Sequence, residues 1–189
     1  MFTEPIRDKE QLRAMADYWL NLQNYRNYLL IVLGVCTALR IGDLLKLRDE
    51  DVYDFESKKF RSHIIVVEQK TGKIKKIAIS RQAKHALRLW FPHSRSGFLF
   101  ENNRKKNPSP INRTQAWRIV KAAAIEAKVD GCIACHSLRK TFGYFAHSTG
   151  VMPGLIMDLY NHSSFEITKR YLGISQDDRD RVYLGVDFF

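Results

Sequence analysis

Residues Tyr28 to Leu39 are apolar almost without interruption, so a helix built from them has no polar stripe to offer water. Twelve residues are too few to cross a bilayer. Such a helix has to be enclosed by protein, and the rest of the 189-residue chain must supply the enclosure. That length suits a single domain, and 45% hydrophobic residues are enough to build a core around one central helix.

The flanking segments read as the wrapping. Leu12, Met15, Trp19 and Leu22 recur at helical spacing between Asp8 and Leu22. Asn24 is placed to cap the central helix, which is predicted to run through about Thr37, with a short helix over Ile41 to Leu47. Asp51 to Phe55, Ser62 to Glu68 and Lys73 to Ser80 are rich in Val, Ile and Phe and read as strands, with Thr71-Gly72 as a tight turn. Helices are predicted again from Arg81 to about Pro92, from a cap at Asn112 to Lys128, from His136 to about Thr149, from Pro153, and after Ser163 or Ser164. Asp177 to Phe189 reads as a short terminal helix. The expected fold is α+β and mostly α, one domain over 1–189 with a small antiparallel three-stranded sheet.

The charge is +11 and it is concentrated. Lys58, Lys59, Arg61, Lys70, Lys73, Lys75 and Lys76 face a single acid, Glu68, within residues 58–76. Arg104, Lys105, Lys106 and Arg113 oppose only Glu101 within 101–113. Clustered cations suit a polyanion, because each neutralised phosphate releases condensed counterions. We expect Lys73, Lys75, Lys76, Arg104, Lys105 and Lys106 to bind nucleic acid. Cys36, Cys132 and Cys135 give no disulfide framework, and no charged start leads into an apolar signal segment. The expected location is the cytoplasm, with no membrane association.

Six residues have chemistry in common. Arg40, Arg139, His136, His162 and Lys70 are the groups an enzyme gathers around a phosphodiester, and Tyr171 is a candidate nucleophile. Two arginine forks can hold both non-bridging oxygens while negative charge builds there. Histidine donates to the phosphate or moves a proton near neutral pH. A lysine at a hairpin tip can protonate the leaving oxygen.

The local contexts resemble the tyrosine recombinase (phage integrase) family. Ala38-Leu39-Arg40-Ile41-Gly42-Asp43-Leu44-Leu45-Lys46-Leu47 is similar to the family's first arginine motif, and His136-Ser137-Leu138-Arg139 to its His-x-Leu-Arg motif. His162-Ser163-Ser164 stands nine residues before Tyr171, as in the third motif. The resemblance implies that Arg40, His136, Arg139 and His162 activate the phosphate, Lys70 is the acid, Tyr171 the nucleophile, and Asp43 a support that orients Arg40. It implies a covalent 3′-phosphotyrosyl intermediate with no metal, ATP or other cofactor. A type IB topoisomerase shares this chemistry, and a non-catalytic DNA-binding module is the rival reading.

The chain departs from the pattern in two places. Tyr160-Asn161 replaces the usual Leu-Gly before the histidine, which we expect to be silent because Asn tolerates left-handed backbone. Relatives carry an N-terminal helical domain that closes a clamp on DNA, whereas the catalytic part here starts almost at Met1. An accessory protein or an oligomer is expected to supply the missing clamp. The tail, 176–189, with Val182, Tyr183, Leu184, Phe188 and Phe189, is expected to pack on a neighbouring subunit to form a homo-oligomer. Cys132-Ile133-Ala134-Cys135-His136 also matches a c-type haem attachment sequence. That chemistry requires export and would consume His136, so it is set aside.

Overall fold

A computed structural model describes residues 3–102, 107–172, 180 and 183–186. Helix α1 (Lys9–Asn21) starts where the Asp8 carboxylate accepts the Glu10 and Gln11 N–H groups. The apolar run forms α2 (Tyr25–Thr37), capped by the Asn24 side chain, with Leu29, Leu30, Ile31 and Leu33 buried. It packs against α1, α5 (Arg81–Trp90) and α7 (Cys135–Ser148), so it is the enclosed centre the sequence requires. Gly34 permits the α7 contact: a Cβ there would lie 2.6 Å from Leu138 Cδ1. Among the described residues no helix is long and apolar enough to cross a membrane.

Beyond α2 the chain turns at Ala38, whose left-handed backbone (φ 51°) ends the helix. The short helix expected over Ile41 to Leu47 is only α3 (Ile41–Leu44). The strand expected at Asp51–Phe55 is instead α4 (Asp49–Val52) followed by β1 (Tyr53–Asp54). Three acids in the first turn of α4 suit a helix N-terminus, and Asp51 accepts the Arg48 N–H at 2.7 Å.

The three-stranded sheet of the sequence reading is two separate hairpins. β1 pairs with β2 (Lys59–Phe60), and β3 (His63–Val67) pairs with β4 (Ile74–Ala78), both antiparallel. The reason is local: Asp54 Oδ1 accepts the Glu56 and Ser57 N–H groups and Lys58 adopts φ 54°, which folds 53–60 back on itself. The Thr71-Gly72 turn sits between β3 and β4 as expected.

Helix α5 begins at its Ser80 cap and passes into a 3-10 turn, Phe91–His93. Asn112 caps α6 (Arg113–Glu126). Helices α7, α8 (Pro153–Tyr160) and α9 (Phe165–Leu172) form the other side of the domain. Ala38, Ile156, Tyr160 and Leu172 make a small core of their own, and Tyr171 packs on its edge. Arg104, Lys105, Lys106 and most of the predicted terminal helix lie outside the described residues; within it, 183–185 are helical and exposed.

Candidate active site

The motif residues lie at the start of α3, on α7 and α9, and at the turn after α8. Arg139 lies in the second turn of α7 and is 1% exposed. A buried guanidinium needs partners on several sides. Its NH1 donates to the Ala38 carbonyl (2.5 Å) and its NH2 to the Tyr160 carbonyl (2.8 Å). Its Cζ stacks 4.4 Å from the Tyr160 ring centre. The left-handed turn at Ala38 and the C-terminus of α8 therefore both aim carbonyls at this arginine.

Arg40, the residue before α3, forms an ion pair of 2.7 Å with Glu68 Oε2. Glu68 is 0% exposed, and its Oε1 lies 3.8 Å from Arg139 NH1. Thr71 Oγ1 and Asn161 Nδ2 also donate to Oε2, each at 3.0 Å. Burial works to raise the Glu68 pKa, but the bonds from Arg40, Asn161 and Thr71 outweigh it and hold the carboxyl below its ordinary value. Glu68 entered the sequence reading only as the lone acid of a basic segment. Asp43, expected to orient Arg40, instead accepts the Gln69 N–H at 3.1 Å and so anchors the approach to Lys70.

The two histidines flank the tyrosine. The Tyr171 ring centre is 4.5 Å from that of His162 and 5.0 Å from that of His136, both edge-on, and 5.9 Å from Arg139 Cζ. Burial, then Arg139 and further cations, push both imidazoles down to about 4. Both are neutral at pH 7 and so able to accept a proton. His162 Nδ1 is held by Thr168 Oγ1 at 3.0 Å, leaving a buried Nε2 with no hydrogen-bond partner among the described residues.

Tyr160 also reaches the site, but it is fully buried and its hydroxyl donates to the Arg139 carbonyl at 2.6 Å. Burial pushes its phenol up, so it stays protonated. Among the tyrosines, Tyr171 has the half-buried position between two neutral histidines.

The hairpin lysines divide. Lys70, Lys73 and Lys76 are exposed, with Lys70 at the β3–β4 turn and close enough to depress the His136 pKa. Lys75 is 8% exposed, its Nζ makes no hydrogen bond among the described residues, and burial followed by Arg139 lowers it to about 8. It faces inward, unlike the surface cation expected of it. The arrangement offers two guanidiniums, two neutral imidazoles, a phenol and two ammonium groups to an anion, with one internal carboxylate holding the arginines apart.

A family model described as the phage integrase family matches residues 7–177. "Probable integrase/recombinase YoeC" of Bacillus subtilis (strain 168) is 35% identical over 181 residues, covering 95% of this chain and 94% of that protein. "Tyrosine recombinase XerD" of Oceanobacillus iheyensis is 22% identical over 178 residues, covering 90% of this chain and 58% of that protein. In fold, a crystal structure of XerA recombinase superposes with a TM-score of 0.76 at 19% identity, over 96% of this chain and 63% of that one. XerH site-specific recombinase bound to difH substrate, a pre-cleavage complex, gives 0.71 at 16% identity, over 96% and 54%. The chain thus spans nearly all of the YoeC relative and little more than half of the XerD relative.

Proposed function

The chain belongs to the phage integrase family, and from that premise we propose that it is a site-specific recombinase or integrase that cuts and rejoins double-stranded DNA. The observation that carries this reading is the seating of Tyr171 against His136 and His162, beside the buried Arg139. Residues from the second and third motifs meet around one phenol ring.

Arg40 and Arg139 hold the non-bridging oxygens of the scissile phosphate and stabilise the charge that grows on them. A neutral imidazole, His162 or His136, takes the Tyr171 proton as its oxygen bonds to phosphorus. The bond from phosphorus to the 5′ oxygen breaks, and Lys70 supplies that oxygen with a proton. The product is a 3′-phosphotyrosyl ester that keeps the cleaved bond's energy. A free 5′ hydroxyl reverses the same steps, with neither metal nor ATP in the balance.

The partners follow from the same reading. The XerH neighbour is bound to its difH substrate, and the exposed Lys70, Lys73 and Lys76 form a cationic rim for phosphates. Tyr183 and Leu184 are 83% and 87% exposed. A second copy offers them an apolar groove of about 610 Å³ lined by Leu12, Val32, Val35, Phe142, Phe145 and Val151. Homo-oligomerisation through this tail, or an accessory protein, completes the grip on DNA.

A nicked suicide substrate tests the proposal. Wild-type protein traps itself on the DNA, and Tyr171→Phe abolishes the adduct; an adduct that persists in Tyr171→Phe overturns the nucleophile. DNA binding with no adduct on any substrate favours a non-catalytic module.

A further inference from the structure

We infer that Glu68 and Asn161 form a latch that assembles the phosphate site, with Glu68 as a positioning residue for the arginine, lysine and histidine motifs. The inference rests on the reading of that site as a strand-transfer centre. Three segments converge on Glu68 Oε2: Arg40 NH1 from the start of α3 forms an ion pair with it (2.7 Å), while Thr71 Oγ1 from the turn beside Lys70 and Asn161 Nδ2 from the residue before His162 donate to it (3.0 Å each). The other oxygen faces Arg139 at 3.8 Å.

Glu68 is buried, and its Oε2 is already taken by Arg40, Thr71 and Asn161. Its influence has to pass through the groups it holds. A carboxylate between two guanidiniums keeps the like charges spaced before the phosphate arrives, and its fixed oxygen sets where Arg40 points. Asn161 joins in by a particular means. It stands at φ 52°, in the left-handed region that ends α8. Glycine satisfies that backbone equally well but has no side chain to reach the carboxylate. The asparagine that sequence reading treated as silent therefore ties the His162 loop to the hairpin of Lys70.

The test is a double-mutant cycle with Glu68→Gln and Asn161→Gly, near-isosteric and backbone-compatible changes respectively. Glu68→Gln is expected to lower single-turnover cleavage by about 10²-fold, the scale of a 1 Å misplacement of catalytic groups, while DNA affinity in a gel-shift assay stays within a few-fold of wild type. Asn161→Gly lowers cleavage less, and the double variant falls no further than Glu68→Gln. Wild-type cleavage by Glu68→Gln, or strictly additive losses, overturns the latch.

Thermal unfolding of the same four proteins reads the latch without DNA. Shifts in Tm that are less than additive are expected, and additive shifts overturn it. Should Glu68→Gln not fold, Thr71→Val paired with Asn161→Gly carries the same cycle, since both donors share Oε2. A wild-type protein that forms no adduct but shows coupled unfolding refutes the recombinase reading and leaves the latch standing.

Discussion

Arg139 and Tyr160 are bonded to each other in both directions. The Tyr160 hydroxyl donates to the Arg139 carbonyl at 2.6 Å, and the Arg139 guanidinium donates back to the Tyr160 carbonyl at 2.8 Å. The pair fixes a buried cation between α7 and α8, so the arginine proposed to bind the phosphate is placed by Tyr160. Tyr160→Phe removes one of the two bonds while keeping the ring under the guanidinium. The expected loss is about 1 kcal/mol, the net value of one internal hydrogen bond, measured by urea unfolding, together with slower cleavage at unchanged DNA affinity. Unchanged stability and rate in Tyr160→Phe would remove the pair from the argument.

Gly143 guards the same contact from the other side. A Cβ at this position would lie 2.6 Å from the Tyr160 hydroxyl oxygen and 3.0 Å from its ring. The ring is buried and has no room to retreat. Gly143→Ala is therefore expected to destabilise the protein by about 1–3 kcal/mol through overpacking, despite the better helix propensity of alanine. Denaturant unfolding checks the sign: a more stable Gly143→Ala protein contradicts the packing seen here.

The two depressed histidines set an acid limit on stability. Burial and the neighbouring arginines bring His136 and His162 to about 4 in the folded chain, against about 6.5 when unfolded. Between those values the unfolded chain binds protons that the folded chain does not. Stability is thus complete above about pH 6.5 and falls as the pH drops toward 4. Unfolding midpoints taken from pH 8 to pH 4 should show this decline, and replacing both histidines with Gln should flatten it. A decline of equal size in the double Gln protein would place its origin elsewhere.

How much of this was visible in the chain depends on the kind of signal. Arg40, His136, Arg139, His162 and Tyr171 could be picked out because each sits in a short local motif, and the fold brings all five together. The central helix was legible because Leu29 to Leu33 have no polar face. The sheet was misread at Asp51, where a run of acids starts a helical turn and Asp54 closes a hairpin by side-chain bonding, effects that hydrophobic pattern does not register. Glu68 and Lys75 were hidden by composition, as charges in a charged segment. A two-residue period would have exposed them: Ile64, Val66 and Glu68 share the inner face of one strand, and Lys75, Ile77 and Ile79 that of the other. The Asn161 bond was beyond reach, since it joins residues 93 positions apart.

The division between Lys70 and Lys75 yields the sharpest assignment. Lys70 is exposed at the turn on the side of His136, whereas Lys75 is buried beneath the arginines and unpartnered. An acid has to reach the leaving 5′ oxygen, and of these two the turn lysine is the exposed one. Lys70→Ala is expected to slow cleavage by about 10²–10⁴-fold, the usual contribution of a general acid. Replacing the bridging 5′ oxygen with sulfur should restore the rate, because a thiolate leaves without a proton. Lys75→Met is expected to hold or raise the unfolding midpoint, since it replaces a buried ammonium with no hydrogen-bond partner among the described residues by an apolar chain of similar length. Its cleavage defect, arising from a weaker cationic field, should not respond to sulfur. Sulfur rescue of Lys75→Met and not of Lys70→Ala would transfer the acid role to Lys75.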